Sequence, residues 1–237
     1  MRTAKSKRQE EKANDKKSLD FYMSTLIAVL LLGYLVGSFP TAILVSKLLR
    51  GRDFDIRNEG SGNAGGTNVF RVLGWKPGLF VTLVDIFKGV VATQWVSQWQ
   101  PFGTAYIDST VMPILAGLAA VCGHIWTVFG NFRGGKGVGT AGGMIVALYP
   151  IAAIVCLAIF AAVVYFTRYV SVGSMIAALS LPVVLWAMQE LFNNEVPDAL
   201  FQFSLLVGAL IVFTHRKNVR RLIEGTENRF GKPREAT

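Results

Sequence analysis

Val138–Phe166 reads VGTAGGMIVALYPIAAIVCLAIFAAVVYF, a run without one charged side chain. A helix needs about 20 apolar residues to cross the hydrocarbon core of a bilayer. This run is therefore too long for one crossing and slightly short for two. Tyr149-Pro150 stands at its centre, and a proline, which has no N–H to donate, ends or kinks a helix there. The spacing predicts two short helices joined at that dipeptide. Further apolar runs lie on either side: Pro77–Val96 and Val111–Phe129 before it, Ser171–Gln189 and Ala199–Thr214 after it. Phe21–Leu49 opens the series and is interrupted by the breaker Gly37-Ser38-Phe39-Pro40. The expectation is an all-α integral membrane protein of about seven transmembrane helices, two of them short.

Composition supports that solvent. Of 237 residues 52% are hydrophobic and only 16% charged, with a mean hydropathy of +0.43, which excludes an ordinary soluble domain. The net charge of +9 falls largely in the tails and loops, where it suits anionic lipid and anionic substrates. It is not gathered on a soluble face, so nucleic acid is excluded as a partner. Cys122 and Cys156 sit inside apolar runs and read as small buried hydrophobes, with no metal site and no cofactor expected. Residues 1–20 read as a basic tail, with Met1–Lys17 disordered. Residues 21–214 form the membrane bundle, and 215–237 a cytoplasmic C-terminal segment. The first apolar run is too long for a secretory signal peptide.

Orientation follows Lys and Arg. Arg50, Arg52, Arg57, Arg71 and Lys76 fall in one connection, Arg133 and Lys136 in another, Arg168 in a third, and Arg216, Lys217, Arg220 and Arg221 near the C-terminus. These read as cytoplasmic. The connections around Ser97–Thr110 and Asn193–Asp198 hold no Lys or Arg, only Asp108, Glu195 and Asp198, and read as external. An odd number of crossings then places the N-terminus outside, although residues 1–17 hold seven Lys and Arg against three acids. The concerted loop pattern is followed over the one tail.

Two glycine-rich polar segments interrupt the apolar runs: Gly60-Ser61-Gly62-Asn63-Ala64-Gly65-Gly66-Thr67-Asn68 and Gly134-Gly135-Lys136-Gly137. Glycine lets a backbone approach a ligand and aim several N–H groups at one anion, so phosphate chemistry is expected at one membrane face. Gly130–Lys136 matches seven positions of a phosphate-binding P-loop, but the eighth is Gly137 where a Mg²⁺-binding hydroxyl is required, and no strand precedes it. ATP is disfavoured. A nest of amides ahead of a helix starting near Val138, with Lys136 as a point charge, remains. His215 and Asn218, three apart, share one side of a helix if helix continues past Thr214.

The ordered array Gly60-Ser61-Gly62-Asn63-x-Gly65-x-Thr67-Asn68-x-x-Arg71, Asp85-x-x-Lys88-Gly89, Gly123-His124, Gly134-Gly135-Lys136-Gly137-Val138-x-Thr140-Ala141 and His215-Arg216-x-Asn218 resembles the bacterial membrane acyl-phosphate:glycerol-3-phosphate acyltransferase family, over about residues 22–230. The resemblance implies a seven-helix inner-membrane enzyme whose active site faces the cytoplasm. It implies transfer of a fatty acyl group from acyl phosphate to the 1-hydroxyl of sn-glycerol 3-phosphate, giving lysophosphatidic acid and phosphate, the first acylation of phospholipid synthesis. Its partners would be those two substrates and membrane lipids, with no obligate protein partner evident.

By position the resemblance assigns His215, Asn218, Lys136, Ser61 and Arg71 to catalysis. Asn63, Gly65, Thr67, Asn68, Gly134, Gly135 and Gly137 would bind substrate, together with a serine, Ser171 or Ser174, of which spacing favours Ser174. Glu227 reads as structural. Gly66 and Gly139 stand where the family usually has alanine, and Trp126-Thr127 where a proline is common. His124 reads as a satisfied structural histidine, and Asp85 with Lys88 as a membrane-embedded ion pair that supports the fold. Acyl phosphate is already activated, so proximity and charge stabilisation suffice. The proton goes to His215 or to a donor phosphate oxygen, the latter preferred, and Ser61 hydrogen-bonds substrate rather than acting as acyl-enzyme nucleophile. A transporter of small organic phosphates is the alternative, but no inverted halves are visible.

Overall fold

The computed structural model describes residues 4–102, 110–193 and 195–231. Among these the elements are helical, with no strand: α1 Ala4–Ser38, α2 Thr41–Arg50, α3 Gly66–Leu73, α4 Trp75–Gln94, α5 Val111–Ile125, α6 Val138–Leu148, α7 Pro150–Thr167, α8 Val170–Phe192, α9 Asp198–Thr214 and α10 Arg216–Ile223.

The two breaks read from proline are present. Pro40 separates α1 from α2, where the Thr41 N–H turns to the Phe39 carbonyl at 3.0 Å. Pro150 opens α7 at its first turn, where a missing N–H costs nothing. α6 has 11 residues, about 16 Å at ~1.5 Å per residue, short of a hydrocarbon core of about 30 Å. Five helical stretches are long and apolar enough to cross a membrane, and a sixth is reached if α9 counts together with α10, from which it is bent by 55°.

The expected disorder of Met1–Lys17 is corrected from Ala4 onward, where the backbone is helical. Ala, Lys, Arg, Gln and Glu dominate residues 4–13, and no Gly or Pro occurs before Gly33. That composition favours helix strongly enough to extend α1 beyond the apolar run. Met1–Thr3 and Asp108 lie outside the described residues.

Close approach sets helix directions. Gly33 and Gly37 of α1 lie against the backbone of Ala116 and Ala120 of α5, and Gly123 against Tyr34. Numbers rise together on both helices, so they run parallel, with small residues four apart letting the backbones touch as membrane helices require. α4 and α6 are also parallel: Gly89 meets Thr140, Gly143 meets Ile86, and Gln94 Nε2 donates to the Ala147 carbonyl at 2.7 Å. α4 runs against α5, since Thr93 meets Gly117 while Asp85 meets His124. Gly173 of α8 packs on Phe160 and Val164 of α7, and Gly208 of α9 on Ala178 of α8.

These directions bring the ends of α1, α5, α7 and α9 and the starts of α4, α6 and α8 to one end of the bundle. Every polar motif read from sequence lies there. The N-terminal end of α1 lies at the other, as do Tyr149 and Glu195, whose side-chain hydroxyl and carbonyl are 2.6 Å apart.

The apolar surface is inverted as lipid demands. Ile154, Leu157 and Phe166 of α7 are exposed, and its most apolar window is only 6% buried. Inside, Ile114, Met144, Leu181, Leu185 and Leu200 form the main core. Val121, Ile125, Ala141, Val207 and Ile211 pack beneath the Lys136 loop. Ile56 and Val69, both fully buried, fasten the 51–65 loop and α3 to Val81 of α4. Burial of Ile56 and of Val69, which lie in the loop and α3 outside the apolar spans, is worth roughly 1.5–3 kcal/mol each on transfer out of water.

Candidate active site

The first glycine-rich loop is built around two side chains. Asp55 caps the turn Ile56–Asn58, accepting from the Arg57 backbone N–H at 2.9 Å, and grips the Arg57 guanidinium at 2.7–3.0 Å. The Arg57 side chain beside it holds the Asp55 carboxyl below its ordinary range. The remaining Arg57 nitrogen donates to the carbonyls of Gly130 (2.7 Å) and Arg133 (3.3 Å), joining this loop to the second. Asn68, 1% exposed, accepts from the Ser61 N–H at 2.8 Å and donates to the carbonyls of Ile56 and Glu59, both at 3.0 Å. Its amide is thus occupied by its own loop, which corrects the expectation of a substrate ligand. The side chains of Ser61, Asn63 and Thr67, by contrast, form no hydrogen bond to any described residue, and Gly65 caps α3 in extended conformation.

The second loop leaves α5 through a tight turn. Asn131 and Phe132 are both left-handed, at φ 53° and 57°, a costly conformation for a phenylalanine. The Phe132 N–H donates to the Thr127 carbonyl at 2.8 Å. Gly134 and Gly135 donate to the carbonyls of Ile125 and His124, both at 3.0 Å. The expected nest therefore has to be corrected: these two amides pin the loop to α5 instead of facing a ligand. Gly137, left-handed at φ 85°, turns the chain into α6.

The third element is the α9–α10 junction. His215, 2% exposed, ends α9, and its Nδ1 donates to the Ile211 carbonyl at 2.8 Å. A carbonyl can only accept, so Nδ1 carries the hydrogen and Nε2 the lone pair. Lys136 donates to Asn218 Oδ1. Asn218 donates in turn to Glu227 Oε1 at 2.7 Å, Ser171 donates to the same oxygen at 3.0 Å, and Arg221 to Glu227 Oε2 at 2.7 Å. Ser171 therefore replaces Ser174 in this network, because the Ser174 hydroxyl turns back to the Val170 carbonyl at 2.8 Å. Of the two serines left open, Ser171 is the one in the network, and Arg221 is an addition to the expected set. The 215/218/221 spacing was a signal for Arg221, masked by its resemblance to an ordinary membrane-boundary cation.

The charges here are strongly coupled. Burial lowers Lys136 to about 8, opposed by Glu227 and reinforced by the nearby charges of Arg221 and Arg71. That places Arg71 within electrostatic reach of Lys136. Burial, then the Lys136 charge, lowers His215 to about 4. Burial disfavours ionisation of Glu227, but Arg221, Asn218 and Ser171 outweigh it and hold its carboxyl below the usual range. Ala64 touches Gly135, and Phe70 stacks on Phe230 at 5.5 Å, so all three motifs meet.

A helical membrane bundle with one end gathering Lys, Arg, His, Asn and Ser side chains defines a membrane protein built to handle anions at that end. The glycerol-3-phosphate acyltransferase family model matches residues 27–225. The chain is 46% identical over 230 residues to a glycerol-3-phosphate acyltransferase of Chlorobium phaeovibrioides, covering 87% of this chain and 97% of that one. It is 45% identical over 235 residues to one of Chlorobium limicola, with 89% and 99% covered. A crystal structure of PlsY (YgiH), an integral membrane glycerol 3-phosphate acyltransferase in its glycerol 3-phosphate form, superposes with a TM-score of 0.73 at 34% identity, over 87% of this chain and 96% of that one. A lysophosphatidic acid form of PlsY superposes equally well. The chain belongs to the glycerol-3-phosphate acyltransferase family.

Proposed function

We propose that the protein transfers a fatty acyl group from acyl phosphate to the 1-hydroxyl of sn-glycerol 3-phosphate, releasing 1-acyl-glycerol 3-phosphate and phosphate. The bundle makes seven crossings of the bacterial inner membrane, with the motif end in the cytoplasm. The observation that carries the reading is the Lys136–Asn218–Glu227–Ser171 network beside His215 and within electrostatic reach of Arg71. Acyltransfer to glycerol 3-phosphate is further supported by family membership and by the glycerol 3-phosphate and lysophosphatidic acid forms of the structural neighbour. The acyl-phosphate donor rests on the motif array alone.

Lys136 and Arg71 hold the phosphate of glycerol 3-phosphate by charge-assisted hydrogen bonds. Ser61, Asn63 and Thr67, whose side chains have no partner among the described residues, bind the phosphate of the donor, helped by the α6 N-terminus. The acyl chain lies along the apolar helix faces. The 1-hydroxyl oxygen attacks the acyl carbonyl carbon while the carbonyl–phosphate C–O bond breaks. The hydroxyl proton leaves with the donor phosphate. His215, at about 4, is a neutral and weak base at pH 7; its Nε2 accepts a hydrogen bond from the non-reacting 2-hydroxyl and orients the glycerol backbone, leaving the 1-hydroxyl proton free to pass to the donor phosphate. Asn68, Gly134 and Gly135 act at one remove, by fixing the two loops.

Purified protein is supplied with palmitoyl phosphate and labelled glycerol 3-phosphate, with palmitoyl-CoA as a parallel donor. Lysophosphatidate from the first donor alone is expected, and its absence there refutes the reading.

A further inference from the structure

We propose that the buried pair Asp85 and His124 is the positioning device for Lys136, acting through Gly135. The inference rests on the function proposed above and adds residues that it leaves unused.

His124 stands at the last turn of α5 and meets the second loop twice. Its carbonyl accepts the Gly135 N–H at 3.0 Å. Its ring lies so close to the Gly135 Cα that a Cβ on residue 135 would overlap Nε2. Lys136 is the next residue in the chain. On its other side the ring is held: Nδ1 lies 3.5 Å from Asp85 Oδ1. Lys88 Nζ is 2.8 Å from that same oxygen and donates to the Phe39 carbonyl at 3.2 Å, at the break between α1 and α2. Thr41 Oγ1 approaches Asp85 Oδ1 at 3.5 Å. α4, α2 and the α1–α2 break are therefore tied together at the Asp85 carboxylate, that carboxylate holds the imidazole, and the imidazole sets the height of Gly135.

Asp85 and Lys88 are each 5% exposed and His124 is 7% exposed, on apolar helices of membrane-spanning length, where ionisable groups are expensive and tend to be functional. Stability alone is a weak reason to keep such a pair, because apolar packing of equal volume serves as well. Fixing a directional contact is something that apolar packing cannot do. The gain is at Lys136, where a misplacement of about 1 Å in a substrate-holding group can cost on the order of 10²-fold.

The test compares the full-length enzyme with His124→Ala, Gly135→Ala and the double variant. Lys136 is expected to hold phosphate in ground and transition states alike, so losing its position raises KM with kcat preserved. His124→Ala should raise KM for glycerol 3-phosphate tenfold or more while kcat stays within threefold. Gly135→Ala should be as damaging alone, yet cost at least threefold less in the His124→Ala background, where the ring is gone and only the Ala64 carbonyl, 3.0 Å from the added Cβ, still crowds it. A merely structural role lowers the amount of active enzyme and leaves KM unmoved. Where His124→Ala does not fold, Asp85→Asn takes its place with the same expected KM shift.

Amide exchange across residues 134–136 gives a readout independent of turnover, with exchange at least tenfold faster expected in the variant. Unchanged exchange, or equal Gly135→Ala costs in both backgrounds, overturns the proposal. A wild-type enzyme that does not acylate glycerol 3-phosphate would sink the functional reading and leave the exchange result to decide the positioning claim.

Discussion

Lys136 donates to Asn218 Oδ1 across 82 residues of sequence, so the second glycine-rich loop and the α9–α10 junction form one polar unit. Asn218 is itself held by Glu227 at 2.7 Å. Lys136→Ala and Asn218→Ala should each lower kcat/KM by 10²-fold or more. Because the residues are in contact, the double variant should fall well short of the product of the single effects. Steady-state kinetics on the four proteins give the coupling directly.

The second expectation concerns pH. With Lys136 at about 8, the cation is present below that value and lost as pH rises through it. The unliganded enzyme should therefore lose affinity for glycerol 3-phosphate above pH 8, measured as a rise in KM. His215, at about 4, is neutral throughout pH 6–8 and should contribute no inflection there. Its folded pKa lies below the ordinary 6.5, so the unfolded chain binds more protons between those values. Stability should fall as pH drops from about 6.5 to 4, which thermal melting in detergent would register.

Ser171 and Ser174 are separated by one turn of α8, and the structure treats them differently. Ser171→Ala removes a donor to Glu227 and should lower kcat/KM about tenfold, consistent with ~1–1.5 kcal/mol for one hydrogen bond of this kind. Ser174→Ala removes only a bond to its own helix and should stay within threefold.

Arg57 joins the two glycine-rich loops through the Gly130 and Arg133 carbonyls while Asp55 grips its other nitrogens. Lysine cannot reproduce that fork. Arg57→Lys should cost roughly 1–3 kcal/mol of stability, visible as a lower melting temperature, and should raise KM for glycerol 3-phosphate.

Much of this was legible from residue types whose effect is local. Pro40 and Pro150 stand at the α1–α2 and α6–α7 breaks, where the sequence placed them, whereas Pro182 lies inside α8 without ending it. Lys136, His215 and Asn218 were legible as a pattern and do come together. Harder to read was which way a polar group is spent. Asn68 has the same side chain whether it binds ligand or closes its own loop, and only the fold decides that it does the latter. The N–H groups of Gly134 and Gly135 face the end of α5 because α5 stops at Ile125, a fact no glycine spells out. The helix through Ala4–Lys17 was missed because a charged, apolar-poor stretch reads as disordered, yet its residues are good helix formers continuous with a membrane helix.

A sealed-vesicle test of sidedness bears on the topology. Residue 5 should be accessible from the face opposite Lys136, since α1 runs parallel to α5; protection of both on the same face contradicts the seven-crossing arrangement.

The most direct test of the central claim is a product balance from purified enzyme given palmitoyl phosphate and labelled glycerol 3-phosphate. Equal amounts of 1-palmitoyl-glycerol 3-phosphate and inorganic phosphate are expected, with none from palmitoyl-CoA and with kcat/KM for glycerol 3-phosphate falling at least 10²-fold in Lys136→Ala. Phosphate released without acylated glycerol 3-phosphate, or equal product from palmitoyl-CoA, would contradict the account.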